Sequence, residues 1–205
     1  LEDGGNIERS TMYHSIFLED LLDLINIAQV YPESIDKNYI KAWEEQAKKM
    51  LNWLELMCHP DGQISFFNDC AIGIAPSPNE LYAYSSRLNI LLGKELESNG
   101  KISIHELSNS GYIRVKGNDY DAIIDVAPIG ADYLPGHGHA DTLSFELSLF
   151  GSRFFVNGGT SHYEIGDQRL IERSTSSHNT LEINHENSSE VWSSFRVARR
   201  AMPFN

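Results

Sequence analysis

The sequence predicts an α+β fold, with a helical N-terminal half followed by an antiparallel β domain. Two features carry this reading. Apolar residues recur at helical spacing up to about residue 92, and beyond about residue 101 the period falls to two. Gly- and Asn-containing turns then separate the later segments at hairpin distances, which favours antiparallel pairing.

The first helix is expected over 13–30, where Ile16, Phe17, Leu21, Leu22, Leu24, Ile25 and Ala28 share a stripe behind a Ser10-Thr11 cap. A second is expected over 37–57, with Tyr39, Trp43, Ala47, Met50, Leu51, Trp53 and Leu54 inward and Glu44, Glu45, Lys48 and Lys49 in water. It stops at the turn His59-Pro60-Asp61-Gly62. After an irregular stretch, a third helix is expected over 79–92, closed by Gly93. Strands are expected over 111–116, 120–126, 142–150, 153–156, 179–183 and 194–198, with turns at Gly117-Asn118 and Phe150-Gly151. The boundary falls within 95–101, which divides the chain into a helical portion, 1–97, and a β domain, 98–205.

With 205 residues, 41% hydrophobic and 22% charged, the chain suits one large or two small globular units. No apolar run approaches the roughly 20 residues of a membrane span, so the chain reads as soluble, with no membrane span. A net charge of -13 argues against nucleic acid as a partner, because phosphate binding needs a basic face. An anionic substrate would need a locally positive cleft, for which Arg9, Arg87, Arg169, Arg173 and Arg196 are the candidates. Cys58 and Cys70 leave a disulfide and a pair of free buried thiols both open. The chain begins at Leu1 without a charged or apolar leader, and it reads as a piece of a longer protein.

The chemistry concentrates in Pro135-Gly136-His137-Gly138-His139-Ala140-Asp141. In a strand-like His-x-His, two imidazoles project to one side and offer two ligands, or a ligand and a base, to one point. His178 would join them if its strand lies alongside. A cupin-type metal site also opens with His-x-His, but Glu146 comes late for it and His178 lies far downstream. His59, His105, His162 and His185 show no convincing partners and read as structural or surface residues.

Three motifs in order are more specific than any one. Pro135 to Leu147, then Phe155-Val156-Asn157-Gly158-Gly159-Thr160-Ser161, then Arg173-Ser174-Thr175-Ser176-Ser177-His178-Asn179-Thr180 resemble the C-terminal β domain of heparinase II/III-like polysaccharide lyases. Gly4-Gly5-Asn6-Ile7-Glu8-Arg9-Ser10, running into Met12-Tyr13-His14, resembles the late helices of that family's (α/α) toroid. The resemblance implies the end of a toroid followed by a β-sandwich, with a sugar cleft between them. It also implies β-elimination at a uronic acid of a bacterial or glycosaminoglycan-like polysaccharide. A periplasmic or secreted location follows from the same resemblance, with a cytoplasmic one left open.

Residue by residue, the resemblance implies His137 as the catalytic histidine, and His139 and His178 as ligands of a structural zinc. Asn157 stands where the third ligand is usually an aspartate. Asn6 matches the region that neutralises the substrate carboxylate. The family's tyrosine base should follow Asp61-Gly62, where only Phe66 and Phe67 occur. Tyr13, His14 and Tyr163 are the candidates to take its place, a phenol needing positive charge such as Arg9 or Arg173 to act as a base. Arg9, His14 and Arg173 are also the expected substrate contacts. A second class of function is a carbohydrate-binding or polysaccharide-assembly protein that keeps the fold without turnover. A third is glycoside hydrolysis, which would draw on Asp141 and Glu146.

Overall fold

The computed structural model describes residues 1–93 and 102–204. Three helices come first: α1 (Thr11–Val30), α2 (Lys37–Leu56) and α3 (Pro78–Arg87). The strands β1 (Ser103–Leu107), β2 (Tyr112–Lys116), β3 (Tyr120–Asp125), β4 (Phe145–Leu149) and β5 (Ser152–Phe155) follow. Next come α4 (Asp167–Glu172), a 3-10 turn (Thr175–Ser177), and the short strands β6 (Val191–Trp192) and β7 (Arg196–Val197). The α+β expectation holds. The expected boundary at 95–101 lies outside the described residues.

Helix ends follow local chemistry. Ser10 accepts the Tyr13 N–H at 3.2 Å, and Asp36 accepts that of Asn38 at 2.8 Å. Ser77 and Glu80 form a capping box behind Pro78. The third helix ends earlier than expected. Asn89 adopts a left-handed conformation (φ 61°), and the N–H groups of Asn89 and Ile90 turn back to the carbonyls of Ser86 and Ser85, so a Schellman-type stop precedes Gly93.

β1 to β5 form one antiparallel sheet in sequential order, and β6 pairs with β7. Phe150 and Gly151 both take positive φ and make the expected tight turn between β4 and β5. Strand expectations change in several places, among them the strand expected over 194–198, which shrinks to Arg196–Val197 beside an unanticipated partner, Val191–Trp192. β1 was not anticipated, and β4 starts only at Phe145 because Leu143 is left-handed and Ser144 N–H turns back to Asp141. Residues 179–183 form no strand: Asn184 and His185 are both left-handed and close a turn with only an Ile183–Glu186 bridge.

One apolar cluster, including Leu18, Leu22, Ile25, Leu51 and Leu54, fills the helical half. A second joins α2 to the sheet through Trp53, Met57, Phe67, Leu107, Tyr112 and Ile123. Polar clamps fix that junction. Trp53 Nε1 donates to Ser110 Oγ at 2.8 Å, and Arg114 pairs with Asp121 while donating to the Glu55 carbonyl at 2.6 Å. The loops 65–70 and 126–144 meet along this seam, where Asp69 N–H donates to the His137 carbonyl at 3.1 Å.

Candidate active site

The centre of the site is a carboxylate that the sequence reading overlooked. Asp69 is fully buried. Its Oδ2 accepts from His137 Nδ1 at 2.8 Å and from Arg169 Nη2 at 2.8 Å, and its Oδ1 accepts from His139 Nε2 at 2.8 Å and from Arg169 Nη1. Burial alone would raise this carboxyl, but hydrogen bonds from His137, His139 and Arg169 outweigh it and hold it well below the ordinary carboxylate range. Asn68 beside it is left-handed, and its Oδ1 accepts the His139 N–H at 3.2 Å. His137 and His139 thus lie in a loop rather than a strand, yet both reach one carboxylate.

His139 and His178 form a second arrangement. His178 Nδ1 faces the Ser174 carbonyl at 2.7 Å and must carry the proton, which leaves a lone pair on Nε2. His139 carries its proton on Nε2 toward Asp69, which leaves a lone pair on Nδ1. The two bare nitrogens face each other at 3.1 Å. Lone pairs aimed together, each set by an acceptor on the far side of its ring, suit a shared metal ion. Asn157 is buried, but its Oδ1 accepts the Asn179 N–H at 3.3 Å and its Nδ2 has no partner. Among the described residues, no group of three or more His, Cys, Asp or Glu side chains is placed to hold a metal. The donor set therefore fits zinc in its two imidazoles and falls short at the third position.

The open face is aromatic. The His137 side chain is 23% exposed, its ring lies 4.2 Å from that of Tyr13, and Tyr163 and Phe195 stand edge-on at 6.0 and 5.9 Å. The Tyr13 and Tyr163 hydroxyls are 2.8 Å apart. Burial raises both phenols above their ordinary value, so both are protonated at neutral pH. Glu8 reaches to 3.9 Å from His137 Nε2. Asn6 spends its Oδ1 on the Glu8 N–H, a turn that leaves its NH2 group for another acceptor.

A sequence profile described as "Heparinase II/III-like, C-terminal" matches residues 100–204, about half of the chain. The chain belongs to the heparinase II/III-like family. Solved structures agree on the fold. A structure titled "Heparinase III-BT4657 gene product" matches 94% of this chain and 33% of its own, at 21% identity and a TM-score of 0.71. A mutant of the heparan sulfate lyase HepC from Pedobacter heparinus matches 92% of this chain and 31% of its own, at 21% identity and TM-score 0.70. This heparinase II/III-like chain thus spans about a third of the solved structures it resembles. No curated protein sequence matches it.

Of the residues expected at the site, His137, His139, His178, Tyr13 and Tyr163 gather around Asp69 or along its open edge. Three expected substrate contacts are engaged elsewhere. Arg9, left-handed at φ 56°, donates to the carbonyls of Ser110, Pro128 and Gly130 and ties the helical half to the β loops. Arg173 is fully buried, donating to the carbonyls of Gly138, Ser193 and Arg196. His14 is buried against Trp53 with Nε2 on the Met50 carbonyl at 2.9 Å. Arg169 lies 5.2 Å over the Tyr163 ring.

Other expectations change with burial. His59, expected to lack partners, bonds Glu146 at 2.6 Å and Ser148 at 2.7 Å. Glu146 also accepts the N–H groups of Phe66 and Asn157. It is fully buried and Asp141 nearly so, which keeps both from flanking a glycosidic bond as hydrolysis requires. Cys58 and Cys70 are buried and free. One signal for Asp69 did exist in the sequence, since Asn68-Asp69 is a polar pair inside the irregular stretch after α2.

Proposed function

We propose that the protein is part of a lyase that cleaves a uronic-acid-containing polysaccharide by β-elimination. The observation that carries this reading is His137, a half-buried imidazole with an open edge, lying tilted against Tyr13, whose hydroxyl pairs with that of Tyr163. The reaction needs a base for the C5 proton, an acid for the leaving oxygen and a partner for the uronate carboxylate. In this reading His137 Nε2 takes the C5 proton, the C5–H electrons form the C4=C5 bond, and the C4–O bond breaks. The Tyr13–Tyr163 pair, protonated at neutral pH, supplies the proton to the leaving oxygen. Asn6 would neutralise the carboxylate through its NH2 group.

His139 and His178 would hold a structural zinc, with Asn157 as a neutral third neighbour. Such an ion would lock the loop that carries His137 to the segment 174–178. Metal analysis of protein purified without added metal should then find zinc that is lost in His139→Ala and in His178→Ala; an equal content in all three proteins would refute this assignment. An acidic polysaccharide partner and a periplasmic or secreted location accord with the same reading.

The activity test uses the full-length protein, with heparan sulfate first and then other uronate polymers, read by the absorbance of the unsaturated uronate. Product should form and should disappear in His137→Ala with folding retained. No product from the parent on any uronate polymer would overturn the reading. One observation favours a second reading, a sugar-binding protein without turnover: only Phe66 and Phe67 stand where the family's tyrosine is expected, and Phe67 is fully buried against Tyr112. Sugar binding that survives His137→Ala, with no product from the parent, would support it.

A further inference from the structure

We infer that Asp69, clamped by Arg169, is the positioning residue that sets His137 with its proton on Nδ1 and its lone pair on Nε2. A carboxylate only accepts, so each nitrogen that faces Asp69 must present a hydrogen. His137 Nδ1 lies 2.8 Å from Oδ2, and the Asp69 N–H holds the His137 carbonyl at 3.1 Å, so ring and main chain are pinned by one residue. Arg169 in turn cannot swing. Its guanidinium donates to both Asp69 oxygens, to the Ser194 carbonyl and to Thr160 Oγ1, and it is fully buried. The other Asp69 oxygen orders His139 in the same way, so one carboxylate sets two imidazoles at once.

Asp69 and Arg169 lie behind the histidine and away from its open edge. They act through His137, much as the aspartate of a Ser-His-Asp triad acts through its histidine. The catalytic consequence rests on the lyase reading; the tautomer does not.

The test is a long-range proton–nitrogen NMR spectrum of the protein with nitrogen-15-labelled histidine at mildly alkaline pH. His137 should show a protonated Nδ1 and a lone-pair Nε2. His14 serves as an internal reference of the opposite kind, because the Met50 carbonyl requires a hydrogen on its Nε2. In Asp69→Asn the new amide can donate to Nδ1, so the Nε2–H form of His137 should appear, and kcat should fall by up to about 10⁴-fold with KM nearly unchanged. Should Asp69→Asn fail to fold, the parent spectrum decides alone. A parent His137 protonated on Nε2, or an unchanged spectrum in folded Asp69→Asn, would overturn the inference. The expected tautomer in a parent that forms no product on any uronate polymer would sink the lyase reading and leave the positioning role standing.

Discussion

Acidification should weaken this fold through His14. The ring is fully buried, its Nε2 is committed to the Met50 carbonyl, and its Nδ1 has no partner. A second proton would therefore create a buried charge with an unsatisfied donor. Burial pushes the His14 pKa down from 6.5 to about 4, with the Met50 carbonyl and Asp3 opposing it. The unfolded chain binds the proton near 6.5 and the folded one only near 4, so stability is complete above about 6.5 and falls as pH drops through that window. At about 1.4 kcal/mol for each pKa unit, a gap of about 2.5 corresponds to about 3 kcal/mol. Urea midpoints measured across this range for the parent and for His14→Phe give the comparison. The variant loses the Met50 hydrogen bond and should be the weaker protein at neutral pH, yet its stability should decline less with acid by about 3 kcal/mol. His178, also lowered by burial, contributes to both curves and cancels. Parallel curves would refute the argument.

Two further outcomes follow from burial and from backbone geometry. Glu146→Ala leaves His59 and the N–H groups of Phe66 and Asn157 without their acceptor and should cost about 3–5 kcal/mol in urea denaturation, as for a buried pair that loses one partner. Gly159 has φ +62° and a Cβ there would lie 2.2 Å from the Cys70 carbonyl oxygen, so Gly159→Ala should destabilise by more than about 1 kcal/mol and speed amide exchange at Thr160, whose N–H bonds that oxygen at 2.9 Å.

Periodicity carries information wherever burial is one-sided. The stripes of α1 and α2 were therefore legible in outline, with Leu22, Ile25, Ala28, Ala47, Leu51, Trp53 and Leu54 buried as expected but Phe17, Leu24 and Tyr39 exposed, and the alternation of β2 and β3 and the Phe150-Gly151 turn were legible as well. Three linked motifs made the family legible as well, because they hold their order and residue types along the chain. Single residues in the left-handed region erased other expectations. Asn89 stopped α3, Leu143 delayed β4, and Asn184 with His185 replaced a strand by a turn. None of these is a glycine; Asn and His visit the left-handed region only some of the time, and Leu143 gave no warning at all.

Within the site, the sequence by itself determined which imidazoles were candidates, since His-x-His followed by Ser-His-Asn is local information. Only the tertiary structure decided what orders them. Asp69 comes from the loop after α2 and Arg169 from the short helix α4, 100 residues apart, and neither the Asn68-Asp69 pair nor one arginine among five candidates tells which partner it will meet. Burial decided the rest in the same way. Arg9, Arg173 and His14 could each be read as substrate contacts while their surroundings were unknown, but each meets main-chain carbonyls when the chain closes around it. A polar side chain's role depends on what desolvates it and which acceptor it finds, and both are set by segments distant in sequence.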